Sequence, residues 1–399
     1  MAAVEDAMSG CDVLKNCPLD RWAWVEIDLG ALRANVRTFK ALLEPRTKLM
    51  CAVKADAYGH GAVECAKAMY AAGANQFAVA TVAEGVELRR AGISWPILVL
   101  CEPPLGAIDT LLAHDLMPSI YTSDFAFSLG ERAVALGKVG RYHLAIDTGM
   151  TRIGVLPDDV VELRHLIDFH RGLECAGTFT HFATADVIGD WDFKQQSSRF
   201  SRAIAALEAA GLDHGLVHCD NTPGTVLHPE LHNDMCRVGI GLYGLHPSAT
   251  TEPRVALRPV MSVRARVTRV IYPAVGEGVG YGLTYRVPTP NIQIATVPIG
   301  YADGLARVLS NHMDVLVNGV RVRQVGRICM DQFMFAVDTS RRSLGSVKTV
   351  APVECGDVVT ILGTDGGQTI SADEMARLRD TINYEVTCDF GMRLEKVYV

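Results

Sequence analysis

Between about Lys48 and Arg258 the chain repeats one pattern eight times: a short β-branched or apolar run, then a stretch with apolar residues at helical spacing. The runs are LMCAVKA (49–55), QFAVAT (76–81), PILVLC (96–101), MPSIY (117–121), YHLAID (142–147), LECAGTFTHF (173–182), LVHCD (216–220) and MCRVGIG (235–241). Strands separated by helices pair in parallel, because a parallel crossover needs a dozen or more residues. Eight such units predict an α/β fold, a closed (β/α)8 barrel whose reactive groups gather on loops at the carboxyl ends of its strands. An open doubly wound sheet is the alternative built from the same unit. Glycines at 73, 92, 137, 172 and 211 stand where helical stretches end, as a left-handed stop requires.

The repeat sets the other boundaries. Residues 1–20 form a polar leader, and 21–47 a lead-in strand and helix. The barrel covers 48–258. From 259 to 399 the texture becomes short strands with Gly and Asn-Gly turns, a separate, mainly β domain closed by a helix from about Ser371 and a terminal strand. With 49% hydrophobic and 21% charged residues the 399-residue chain has an ordinary globular composition. Its net charge of -7 supplies no basic field for nucleic acid or anionic lipid. The strongest apolar run, 96–101, falls far short of the ~20 residues that cross a bilayer. The opening lacks an apolar signal core, and eleven cysteines without CxxC spacing read as reduced thiols; cytoplasm is the expected location.

Reactive residues collect at the expected strand ends. Lys54 follows the first barrel strand, in AVKADAYGHG; alone it reads as a lysine whose head snorkels to water at the rim. A Schiff-base lysine must lose a proton, and positive neighbours at a barrel mouth favour that. Strand five leads to Asp147, Thr148 and Arg152, strand six to His181, and strand seven to His218 through Thr222. Strand eight carries Arg237, then Gly239, Ile240 and Gly241, whose backbone N–H groups suit a phosphate, commonly held in this fold after strands seven and eight. Each residue singly has an ordinary reading as a cap, turn or surface charge; five equipped strand ends together do not.

Other signals carry less. GEGVGYG (276–282) misses the GxGxxG spacing in every register, so no dinucleotide site follows. His228 and His232 are four apart but lack the HExxH pattern and flank Pro229, so no metal is expected. Cys329 reads as a packed loop residue.

The motifs AVKADAYGHG, IDTGMTRIG, THFATAD, RVGIGLYG, VGYGLTY, PIGYADG, VGRICMDQ and NYEV, spread in order from Trp22 to Val399, resemble those of the alanine racemases. The resemblance implies a pyridoxal 5'-phosphate enzyme with an N-terminal barrel and a C-terminal β domain. It implies that Lys54 tethers the cofactor and that Tyr281, supplied by the partner subunit of a homodimer, is the second acid/base. Arg237 would face the pyridine nitrogen with His218 behind it. Tyr58, Thr222, Tyr384 and the backbone of Gly239 and Ile240 would hold the phosphate. Arg152 and the backbone near Met330 of the partner subunit would hold the substrate carboxylate, Tyr301 would narrow the entrance, and His181 would be a positively charged neighbour easing loss of the phenolic proton. The implied role is to supply D-alanine for peptidoglycan. A serine or broad-specificity amino-acid racemase is the near alternative, and a noncatalytic cofactor carrier the distant one. The chain departs from the family at Ala145, where a lysine commonly braces the substrate-binding arginine.

Overall fold

The computed structural model describes residues 21–187, 189–339 and 351–399; the leader expected over 1–20 lies outside them. The chain forms two compact units, with boundaries at Gly30/Ala31 and Arg258/Pro259. Strand β1 (Ala23–Ile27) runs antiparallel to β10 (Met261–Arg266) and parallel to the terminal strand Glu395–Tyr398, so the lead-in strand is part of the C-terminal sheet.

The first unit carries eight parallel strands: β2 (Lys48–Ala52), β3 (Gln76–Val79), β4 (Ile97–Val99), β5 (Met117–Ile120), β6 (Gly140–Ala145), β7 (Leu173–Phe179), β8 (Leu216–His218) and β9 (Met235–Val238). Their order is β8-β7-β6-β5-β4-β3-β2-β9. The barrel is nearly closed. Across the β8/β9 seam Asp234 N donates to Val217 O (3.1 Å) and Arg237 N to Asp220 O (3.0 Å), while the Asp234 carboxylate accepts from Val217 N (2.8 Å). Met50, Ala78, Leu98, Met117 and Met235 form an apolar layer inside it.

Every expected strand is present, but each stops at least one residue before the expected end. Most of the trailing stretches carry a polar side chain or Gly, such as Lys54, Thr81, Asp147, His181, Asp220 and Gly239, and turn out of the ladder into loops. Lys54 is the clearest case. The strand stops at Ala52, and Ala55 through Tyr58 all take left-handed φ between 51° and 55°, so the lysine stands on a turn rather than in the strand. Four of the five helix-stop glycines adopt positive φ; Gly172 does not. A Cβ there would lie 2.4 Å from Gly130 O, so close backbone approach is what requires a glycine.

The second unit is built on a sheet whose main path ends β18-β10-β1-β20, with β18 spanning Val358–Asp365 and β20 the terminal strand. Asn318 (φ 53°) and Gly319 (φ 73°) form the two-residue turn between β15 (Asp314–Val317) and β16 (Val320–Val325), the hairpin signal the sequence carries there. The helix Ala372–Arg379 starts at Ser371, whose side chain accepts from Glu374 N. Among the described residues no helix is long and apolar enough to cross a membrane.

Candidate active site

Lys54 is held by its loop. Glu84 caps the following helix in a capping box with Thr81, one carboxylate oxygen taking the amides of Ala80 (2.7 Å) and Thr81 (3.0 Å). Its other oxygen accepts from Ala55 N at 2.7 Å, so one carboxylate joins the helix cap to the lysine turn. Asp56 accepts from Ala62 N at the far end of the turn. The lysine itself is partly buried.

Deeper in the barrel, Arg237 is almost wholly buried (6% exposed) and makes five polar contacts. Nη1 lies 2.8 Å from His218 Nδ1 and 3.1 Å from His218 O; Nη2 lies 2.7 Å from Thr180 O, 3.2 Å from Cys219 O and 3.3 Å from His181 Nδ1. Burial lowers the Arg237 pKa to about 10, which still leaves the group charged at neutral pH. Burial and the charge of Arg237 hold His218 well below the ordinary histidine range, with His143 adding to the effect.

His181 is corrected by its surroundings. Withdrawal from water and three nearby cations, Arg237, Arg152 and Lys54 in that order, push its pKa well below the usual value. It is therefore a neutral imidazole at pH 7, not the expected positive charge. A guanidinium only donates, so the Nδ1 facing Arg237 accepts and Nε2 carries the hydrogen. The same interactions bring Lys54, Arg152, His181 and Arg237 into one neighbourhood at the carboxyl end of the barrel.

Arg152 lies on the loop after β6, folded by Asp147, whose carboxylate accepts from the amides of Gly149 (2.9 Å) and Thr151 (3.0 Å). Its side chain is exposed and makes no hydrogen bond or ion pair among the described residues. Ala145 is 1% exposed and offers no polar atom, so it gives no brace.

A second cluster joins Tyr58, Thr222 and Gly239, all buried. Gly239 N donates to Thr222 Oγ1 at 3.0 Å, so this amide is engaged by a hydroxyl of the same unit. A Cβ on Gly239 would stand 2.6 Å from Tyr58 Oη; glycine lets the phenol approach the backbone. Ile240 opens the 3-10 turn Ile240–Tyr243, and Asn221 caps the short helix Thr222–Leu227.

The remaining candidates lie in the C-terminal unit. Tyr281 (69% exposed) follows Gly280, which has φ 69° and whose Cβ position is 2.9 Å from Met334. Tyr301 and Met330 are brought together: Tyr301 N donates to Cys329 O and Ala302 N to Met330 O, both at 3.0 Å. Beneath them the fully buried Asp303 accepts from Gly300 N (2.9 Å) and pairs with Arg21 (2.6 Å) and Arg393 (3.3 Å). Tyr384 is partly buried on the helix Asn383–Asp389.

Sequence reasoning missed Glu84, Asp303, Thr180 and His143. The first was signalled by Thr81-x-x-Glu84 spacing; the others by nothing local. Asp220, His232 and Cys236 place one ligand-type atom each within 4.8 Å of one another. Burial lifts Asp220 to about 7 and raises the Cys236 thiol, and His232 Nε2 bonds Thr225 O at 2.9 Å. Cys236 Sγ lies 3.9 Å from Asp220 Oδ2, so the acid and the thiol engage each other inside the unit.

Comparison with known proteins agrees with this architecture. Residues 27–247 match the alanine racemase N-terminal domain and 260–398 the alanine racemase C-terminal domain. The chain belongs to the alanine racemase family. It is 42% identical over 380 residues to the alanine racemase of Desulfovibrio desulfuricans, covering 95% of this chain and 99% of that one. The alanine racemase structure from Clostridium difficile 630 superposes with TM-score 0.88 at 36% identity, covering 95% and 96%. That from Streptomyces coelicolor gives 0.85 at 34%, covering 96% and 98%. The family consists of pyridoxal-phosphate-dependent isomerases acting on a small amino acid, and the residues here suit that cofactor: a lysine on a fixed turn, a buried charged Arg237, and a cradle at Gly239 that a Cβ would fill.

Proposed function

We propose that the protein racemises alanine by a two-base mechanism in composite sites of a homodimer, with Lys54 carrying pyridoxal phosphate. When bound, the cofactor supplies an electron-withdrawing ring joined to the substrate nitrogen, which acidifies the α C–H bond. Lys54 Nζ exchanges the proton on one face of the α carbon, and the Tyr281 hydroxyl of the partner subunit exchanges it on the other. Neutral His181 offers its Nε2–H as a donor to a developing phenolate, which stabilises the anion without contributing a full charge. Arg237 would stay protonated because the pyridine nitrogen is the far weaker base, and its Nε–H, which the five Nη contacts leave over, would donate to that nitrogen without transferring the proton. Tyr58, Thr222, Tyr384 and the backbone at Gly239 and Ile240 would hold the phosphate, with Thr222 Oγ1 releasing Gly239 N as its hydroxyl turns to the ligand. Arg152 and the backbone near Met330 of the partner subunit hold the carboxylate, with Tyr301 at the entrance. The product serves peptidoglycan synthesis in the cytoplasm.

The observation that carries this reading is the convergence of Lys54, Arg152 and Arg237 on His181. Three cations in one neighbourhood suit an anionic phosphate and carboxylate and favour an unprotonated lysine. Borohydride reduction of the yellow protein followed by peptide mapping tests the tether: label on Lys54 is expected, and label elsewhere overturns it. Mixing Lys54→Ala with Tyr281→Phe chains tests the composite site; subunit exchange should restore about a quarter of wild-type activity through one intact site per mixed dimer. The unbraced Arg152 favours substrate breadth as a second reading, and initial rates on serine and alanine separate the two.

A further inference from the structure

Behind Arg237 lies a chain of two imidazoles whose protonation is fixed by geometry. Arg237 Nη1 is 2.8 Å from His218 Nδ1, and His218 Nε2 is 2.8 Å from His143 Nδ1. Because the guanidinium can only donate, His218 Nδ1 must accept. Were Nε2 of the same ring also to accept, His218 would be an imidazolate; the neutral ring therefore donates Nε2–H to His143 Nδ1. His143 is then left with its hydrogen on Nε2, which is buried without a hydrogen-bond partner among the described residues. Burial and Arg237 bring His143 down to about 3, so neither ring escapes this arrangement by protonation.

The barrel makes room for His143 specifically. The β6/β7 register shifts between Tyr142 and His143, and opposite it stands Gly177, where a Cβ would lie 2.6 Å from His143 Nδ1. Phe179 stacks on His218 with 5.1 Å between centroids and lies 5.1 Å from Arg237 Cζ, closing the other side. A buried N–H without an acceptor is costly, and a residue retained only for packing would avoid it.

We propose that His143 is a positioning residue for the racemase reaction. Its Nδ1 lone pair fixes His218 in the tautomer that accepts from Arg237, and so holds the guanidinium against the pyridine nitrogen. This rests on the reading of Arg237 given above. Without the acceptor, His218 is free to turn N–H toward the guanidinium, and two donors then face each other.

The test uses cofactor-loaded enzyme. His143→Leu keeps similar bulk without an acceptor; His143→Asn restores an oxygen near the Nδ1 position. His143→Leu should lower kcat about tenfold, the lower end of what orienting partners of a functional imidazole contribute, with KM for alanine within about twofold. It should also shift the pH dependence of the cofactor's visible absorbance, and His143→Asn should recover both. Unchanged absorbance and kcat in His143→Leu, or equal loss in both folded variants, overturns the proposal. Wild-type protein labelled with 15N-histidine gives a readout independent of variant folding: His143 and His218 should both appear as neutral Nε2–H tautomers, and an Nδ1–H signal for either refutes it. Arg237→Lys separates the two levels. If it leaves the absorbance unchanged, the Arg237 reading fails; if it shifts the absorbance and His143→Leu does not, only the role of His143 fails.

Discussion

The two units hold their functional side chains in opposite ways. In the barrel, His143, His218 and Arg237 are buried, and their tautomers and charges are settled by one another. In the C-terminal unit Tyr281, Tyr301 and Met330 are 69%, 42% and 52% exposed, on turns supported from beneath by Asp303, Met334 and neighbouring backbone. A buried network fixes its own electrostatics; an exposed phenol acquires its electrostatics from whatever later covers it. The barrel unit thus sets the protonation of its own groups, whereas the C-terminal unit leaves its candidate groups open to solvent.

The largest expected effects break the comparison at its two bases. Lys54→Ala should abolish racemisation in both directions, by about 10^3-fold or more, because it removes the tether and one proton-transfer group together. Loss of the yellow colour with an unchanged far-ultraviolet spectrum would accompany it. Tyr281→Phe should cost about 10^2 to 10^4-fold, but unequally: abstraction from one enantiomer should fall much further than from the other. Deuterium exchange at the α carbon of each enantiomer measures this, and equal losses would undermine the two-face assignment.

How much of this was legible in the sequence follows the same division. Strand periodicity carried the barrel, and the motif residues carried most candidate positions, because both are local in the chain. The ends of strands were overextended, since apolar pattern alone does not register where polar residues such as Lys54 leave the ladder. The charge of His181 was misread because a histidine's protonation depends on what other parts of the chain place around it, here burial first and then Arg237, Arg152 and Lys54. His143 stayed hidden for a related reason: it sits amid an apolar run, and only the return of β8 shows that its ring meets His218.

A smaller effect probes the cradle. Gly239→Ala puts a methyl 2.6 Å from Tyr58 Oη and 3.3 Å from Cζ. The ring cannot swing away freely, since Tyr243 lies 5.0 Å from it. Overpacking of this kind costs about 1–3 kcal/mol, and it should appear as weaker pyridoxal-phosphate binding in an equilibrium titration together with a lower Tm. Tyr58→Phe in the Gly239→Ala background removes the clashing oxygen and should recover the Tm but not the affinity. Recovery of both would remove the Tyr58 hydroxyl from the phosphate site.

The smallest effect per group concerns acid. His143, His181 and His218 all have folded-state pKa values below the ordinary 6.5. Below pH 6.5 the unfolded chain takes up protons that the folded barrel excludes, so stability is fully present above about 6.5 and declines as pH falls. The slope approaches about 1.4 kcal/mol per pH unit for each such histidine. The His143 contribution continues to fall until pH reaches about 3, its folded value. All three of these imidazoles lie in the barrel unit. Hydrogen exchange at pH 7.5 and 5.5, corrected for the intrinsic rate, should therefore show β6 and β8 losing protection while β10 and β18 keep theirs. Equal loss in both units would mean that the units unfold as one, and no loss in either that the buried imidazoles are already charged when folded; the 15N spectrum at the same two pH values checks the second case, because a charged ring carries hydrogen on both nitrogens.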